Sequence, residues 1–145
     1  MNLKIKVLGI ILDDKNNLLL IKENVPKKNK AFWNAIRGTY DNAKETLEET
    51  MLRECREEAG AEVIITESLP YHFERFNENK IRIYLPFVCK LKNSTVKLQA
   101  KDFQEKLNEE IIELRWFTKS EFNNINPSEF MEPFIYEIIK RYFNR

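Results

Sequence analysis

Leu3, Ile5 and Val7 alternate with Lys4 and Lys6, and residues 10–12 then run on as aliphatics. This pattern predicts a strand with one wet face that becomes more buried along its length. Residues 13–17 gather turn formers, so residues 18–23 are expected to return as the second strand of a hairpin. A basic loop follows at residues 26–30. Residues 32–36 form a short aromatic and aliphatic strand that ends at Arg37 and Gly38. The clearest helix comes next. Thr46 with Glu49 three residues on is a capping-box pattern, and Gly60 supplies a terminator. Leu47, Met51, Leu52, Cys55 and Ala59 recur at helical spacing as its core stripe. Residues 63–66 are expected as a strand broken by Pro70. Residues 71–76 and 80–88 are expected as a hairpin around residues 77–79, with Pro86 placing the second strand at an edge or ending it. Residues 96–108 fit neither period, and 111–117 is another strand. Thr118 and Glu121 make a second capping box. Pro127 and Ser128 precede a closing amphipathic helix whose buried stripe is Phe130, Phe134, Ile135, Ile138, Ile139, Tyr142 and Phe143. The order of hairpin, helix, several strands and helix does not alternate regularly. It predicts a mixed sheet between helices, an α/β protein, rather than a doubly wound parallel sheet.

At 145 residues the chain has the length of one domain. Lys and Arg total 24 against 23 Asp and Glu, for a net charge of +1. That balance argues against a general polyanion binder, so a nucleic-acid partner is not expected. No run approaches the ~18 apolar residues of a membrane span. The amino end has the pattern of a strand, not of a signal peptide. With two cysteines there is no disulfide framework, which points to a reducing cytoplasm. One histidine and no paired cysteines leave no zinc site, so any divalent ion has to be held by carboxylates. Among the remaining candidates, Lys27, Lys28 and Lys30 fit a solubilising loop better than a phosphate site. Tyr71, Phe73 and Phe76 fit a sheet face better than a stacking platform, and His72 receives no role.

On a helical wheel at ~100° per residue, Glu54, Glu57 and Glu58 fall within one arc beside the Met51 and Cys55 stripe. Hard cations such as Mg²⁺ take oxygen ligands, and glutamates at i, i+3 and i+4 can converge on one, with phosphate oxygens completing its shell. An acidic solvated face is the alternative, because like charges at this spacing cost only ~0.2–0.5 kcal/mol per pair. Arg53 has an equally ordinary role available, as the i+4 partner of Glu49.

Glu45, seven residues, and then Arg53, Glu54, Cys55, Arg56, Glu57, Glu58, Ala59 and Gly60 resemble the Nudix box, G-x5-E-x7-R-E-U-x-E-E-x-G-U, where U is a bulky aliphatic. Glu45, Arg53, Glu54, Glu57, Glu58 and Gly60 stand in register. At roughly 7% per letter a chance match is on the order of one in ten million per start position, which makes the motif specific. Phe32, Trp33, Asn34, Ala35 and Ile36 resemble the family's W-N-x-P-G-G approach. Residues 113–117 and the capped helix after them are similar to its late strand. Departures are Thr39 where the box has Gly, Arg37 where Pro is usual, Lys44 where a second loop Gly is usual, and Ala61 for a larger aliphatic.

The resemblance implies a single Nudix α/β/α sandwich over residues 1–145. It implies a hydrolase that cleaves the diphosphate linkage of a nucleoside diphosphate derivative, such as an NTP, ADP-ribose, a nucleotide sugar or a dinucleoside polyphosphate. Mg²⁺ or Mn²⁺ would be held by Glu54, Glu57 and Glu58, with a backbone carbonyl near Gly38. Glu57 would be catalytic, with Arg53 and Glu45 holding the loop against the helix. Glu105, Glu109 and Glu110 are candidates for a general base. Arg37, Trp33 and Phe32 are candidates for substrate contact. The alternatives are a nucleotide-binding module that does not cleave and an RNA 5′-end pyrophosphohydrolase. The oligomeric state is open, with a homodimer as one option.

Overall fold

The computed structural model describes residues 1–93, 96–97 and 110–145. The strands are β1 (Asn2–Leu12), β2 (Leu18–Val25), β3 (Lys30–Asn34), β4 (Ile36–Thr39), β5 (Val63–Ser68), β6 (His72–Asn77), β7 (Lys80–Leu91) and β8 (Ile111–Phe117). The helices are α1 (Leu47–Ala59), α2 (Lys119–Asn123) and α3 (Pro133–Phe143). Together the strands form one eight-stranded sheet. It is mixed: β1 runs parallel to β7 from Asn2↔Lys80 to Leu12↔Lys90, and the other pairings are antiparallel.

The hairpin expected at the amino end is barely paired. β1 and β2 share only Ile11↔Leu19 and Leu12↔Leu18 before they splay apart. β3 then pairs with β2, and β4 pairs with β1. The single strand expected over residues 32–36 is therefore two, and Ala35 is the bend that carries the chain from one arm of the sheet to the other.

One apolar cluster lies on each face. Val7, Ile11, Leu19, Ile21 and Cys89 pack against Met51, Cys55 and Ala59 of α1. Leu8, Ile10, Leu18, Leu20 and Val88 pack against Phe122 of α2 and Ile135, Tyr136, Ile138 and Ile139 of α3. The alternation of side chains along each strand thus sends neighbouring residues to opposite helices. Both capping boxes form: Glu49 N donates to Thr46 Oγ1 at 3.1 Å, and Glu121 N donates to Thr118 Oγ1 at 3.1 Å. Gly60 closes α1 in the left-handed region, with φ 57°.

Pro86 lies inside β7, not at an edge or an end. It faces the gap where β7's neighbour changes from β6, last paired at His72↔Tyr84, to β5, last paired at Ser68↔Phe87. Its carbonyl accepts from Leu69 N at 2.9 Å. A residue without an N–H is tolerated where one partner strand stops and another begins. The closing helix starts at Pro133 rather than at Pro127, which opens a separate 3₁₀ turn, and Tyr136 joins the buried stripe. The two cysteines are reduced and face each other between α1 and β7. Hydrogen bonding to Cys89, together with burial, pushes the Cys55 thiol well up.

Candidate active site

The carboxylates of α1 are organised around one cation. Arg53 Nε donates to Glu45 Oε2 at 2.9 Å and Nη2 to Glu45 Oε1 at 3.2 Å, a fork that ties the loop before the helix to its second turn. Arg53 Nη1 donates to Glu54 Oε1 at 3.2 Å and to Glu57 Oε2 at 3.1 Å. The bond to Glu45 raises the arginine's pKa further above its usual range and holds the Glu45 carboxyl below the usual glutamate value. Thr50 Oγ1 adds a bond to Glu45 at 3.3 Å. The i+4 pair expected between Glu49 and Arg53 is absent, because Glu49 is engaged in the capping box.

Glu54 and Glu58 are buried, at 8% and 3% exposure, on the helix face turned towards the sheet. The side chain of Glu57 is more open, at 23%. Glu54 packs directly on β4. A Cβ placed on Gly38 would lie 2.3 Å from Glu54 Cδ, so any side chain there would displace the carboxylate. The glycine is needed for this close approach and not for a positive φ. Thr39 is accommodated for the same reason: it ends β4 in a regular pair with Lys6, so this loop needs no left-handed residue. Lys44 is exposed on the turn that Asn42 makes by accepting from Lys44 N at 2.9 Å.

The donor set suits a hard divalent cation: carboxylate oxygens on one helix face beside the backbone of Gly38. As placed, no three acidic, histidine or cysteine side chains among the described residues converge tightly enough to form a metal cage. Arg53 Nη1 lies between Glu54 and Glu57, while its hold on Glu45 uses its other two nitrogens. The two sets of bonds are separable, so releasing Glu54 and Glu57 leaves the loop anchored.

The residues named for substrate contact are not together. Trp33, 6% exposed, points to the α3 face, where it meets Phe117 edge-on at 5.0 Å. Phe32, 9% exposed, lies on the α1 face with the ammonium groups of Lys28 and Lys30 each 5.2 Å from its ring centre. Arg37 is committed to a two-pronged bond with Glu132, the residue before α3, at 3.1 and 2.9 Å. The Glu132 charge holds this guanidinium protonated against the cost of its burial. His72 is stacked on Phe134 at 4.8 Å and bonded to Glu74 at 2.7 Å. Glu110 is exposed and accepts from Asn24 Nδ2 at 3.1 Å, whereas Glu105 and Glu109 fall outside the described residues.

A second polar group, on the β2–β3 arm, was not apparent from the sequence. Glu23 and Asn34 sit on neighbouring strands, and Asn34 Nδ2 donates to Glu23 Oε1 at 3.3 Å. Burial raises the Glu23 pKa, and the Arg37 charge offsets part of that rise. On the opposite face of β1, burial and the Arg37 charge lower the Lys6 pKa. Burial and the Glu132 charge push Tyr84 up to about 12. The sequence held a signal in the run of charged and amide residues at the inner ends of two strands. The splay that brings them together is a tertiary feature.

A family model described as NUDIX domain matches residues 2–142. Among solved structures, a NUDIX hydrolase from Nitrosomonas europaea is 28% identical, with 99% of this chain and 72% of that chain covered and a TM-score of 0.74. The MutT protein from Methanosarcina mazei Go1 is 21% identical over 99% and 97%, with a TM-score of 0.72. The NUDIX domain of Shewanella oneidensis NrtR, in a complex with ADP ribose, is 15% identical over 100% and 88%, with a TM-score of 0.73. No curated protein matches.

Proposed function

The chain belongs to the NUDIX domain family, hydrolases that act on nucleoside diphosphate derivatives, and on that premise we propose that it is a Mg²⁺- or Mn²⁺-dependent pyrophosphohydrolase that cleaves the diphosphate linkage of a small nucleotide. The observation that carries this reading is the set of glutamates gathered around Arg53 on the α1 face, with Glu54 seated against Gly38. Buried carboxylates this close need cationic partners to retain their charge. Arg53 provides one, and the site has the chemistry for a second.

Glu54, Glu57 and Glu58, with the Gly38 carbonyl, would hold the ion. When bound, a divalent cation polarises a phosphoryl oxygen and lowers the pKa of a coordinated water. Glu57, the most open of the three, would also be catalytic. Arg53 and Glu45 would act on position, tying the loop before α1 to its second turn. Among the described residues no helix is long and apolar enough to cross a membrane.

One observation favours a second reading, a module that binds nucleotide without cleaving it. Arg53 Nη1 occupies the space between Glu54 and Glu57. Calorimetric titration with Mn²⁺ separates the two. Binding by the wild type that is lost in Glu54→Gln and in Glu57→Gln supports the hydrolase. No Mn²⁺ binding by a protein that still binds nucleotide supports the module.

A further inference from the structure

Among the described residues β6 pairs with β7 alone, so its outer side presents backbone N–H and C=O groups with no strand beside them. Such an edge is a template for pairing with another chain, and proteins that avoid the pairing blunt it with lysines or very short strands. This edge instead shows three aromatic rings: Tyr71 is 68% exposed, Phe73 48% and Phe76 43%. Phe73 pairs with Ile83, and Leu3, itself 54% exposed, pairs with Ile81 two residues away on β7. Strand alternation puts Phe73 and Leu3 on one face of the sheet, and neither belongs to the two apolar clusters. An apolar patch thus runs out to an open edge.

We infer that β6 pairs edge to edge with β6 of a second copy of this chain, antiparallel about a two-fold axis through Phe73. Symmetry and charge set this register. A two-fold axis normal to the sheet keeps each face on its own side, and residues paired across strands share a face. The axis therefore passes through a residue and not between two. An axis at Glu74 sets carboxylate against carboxylate, and one at Arg75 sets guanidinium against guanidinium. An axis at Tyr71 or His72 brings Pro70, which has no N–H to give, inside the ladder. An axis at Phe76 falls where the β6–β7 register shifts, between Arg75 and Asn77. The axis at Phe73 sets Phe73 on the partner's Phe73, His72 against the partner's Glu74, and Tyr71 against the partner's Arg75. Like charges directly opposite destabilise a pair of strands, whereas aromatic pairs, complementary polar pairs and a ring beside a guanidinium stabilise it. Within one chain His72 Nε2 and Glu74 Oε2 already lie 2.7 Å apart on one face, so two copies bring two such pairs together. The same register sets Pro70 opposite the partner's Phe76, so the ladder stops at each end at positions that already interrupt a strand. The Phe73 and Leu3 patches of both copies then lie on one side of a continuous sheet. The pairing needs nothing from the proposed hydrolase chemistry.

The test is sedimentation velocity on the full chain from about 1 µM to about 200 µM, a span over which mass action shifts a dimer of micromolar affinity. The expected result is a monomer–dimer equilibrium whose dissociation constant rises at least about tenfold in Phe73→Lys, which sets two ammonium groups on the axis. The Phe73 side chain is half exposed, so this variant should keep the fold, read by circular dichroism. The register is read by cross-linking with oxidised glutathione, in which the buried Cys55 and Cys89 take no part. Phe73→Cys should cross-link to itself, while Tyr71→Cys and Arg75→Cys should join each other when mixed. A chain that stays monomeric at the highest concentration overturns the inference. So does a dimer unmoved in Phe73→Lys, or a mixture of Tyr71→Cys and Arg75→Cys that fails to cross-link.

Discussion

On the α3 face of the sheet, Phe122 stacks on Tyr136 with ring centroids 4.8 Å apart and meets Phe130 edge-on at 6.2 Å. On the α1 face, the same layer position is taken by Met51, Cys55 and Ala59, with a ring of glutamates around Arg53 along one border. The first face is stabilised by large aromatic areas removed from water. The second is filled by small and flexible side chains and carries buried charge that contributes little net stability, because desolvation offsets the attraction. Such charge makes sense where it serves a ligand. The two faces should therefore respond to mutation in different currencies, the aromatic face in folding and the carboxylate face in turnover.

The largest expected effect is on the aromatic face. Phe122→Ala should lower the unfolding free energy by about 3–5 kcal/mol in a urea titration, through the cavity it leaves. A loss below 1 kcal/mol would mean that this core is not what stabilises the fold. On the other face, Glu57→Gln should reduce kcat about 10²–10³-fold, the scale seen when one preorganised electrostatic group is removed, while its urea midpoint stays near the wild-type value. If stability fell as far as activity, the contrast between the faces would disappear. Gly38→Ala should push Glu54 off β4 and raise the Mg²⁺ concentration needed for half-maximal rate by about tenfold, the low end of what losing a supporting group costs a metal site. Thr46→Ala removes the α1 cap and should cost about 1 kcal/mol of stability.

The smallest effect is in pH. Arg53 holds the Glu45 carboxyl below its ordinary value, so the folded state binds that proton more weakly than the unfolded chain does. Its contribution is complete above the ordinary glutamate range and is lost as pH falls through the lowered folded value. In Glu45→Gln, the decline of the urea midpoint between pH 5 and pH 3 should be shallower than in the wild type, on the order of what one such group supplies. Parallel declines would show that the Arg53–Glu45 link does not favour the folded state.

Much of this contrast was legible in the chain. The caps at Thr46 and Thr118, the Met51 and Cys55 stripe, and the register of Glu45 with Arg53 are local or helical features, and local spacing determines them. Long-range geometry was not legible. The bend at Ala35 and the parting of β1 from β2 follow from β4 crossing to β1, so Asn34 and Glu23 could not be paired from spacing. Arg37, placed by sequence among groups that contact substrate, meets Glu132 some 95 positions later, a pairing that no local pattern encodes. Pro86 shows the same limit. Its place inside β7 depends on β5 and β6 meeting the same strand end to end.

The role proposed for the α1 carboxylates is metal-dependent cleavage of a diphosphate. It is tested most directly by following release of phosphorylated products from a nucleotide panel in Mg²⁺, in Mn²⁺ and after EDTA treatment. Turnover should require the metal, cease in EDTA, return when Mg²⁺ is restored and be crippled in Glu57→Gln. Turnover undiminished by EDTA, or equal in Glu57→Gln and the wild type, would contradict it.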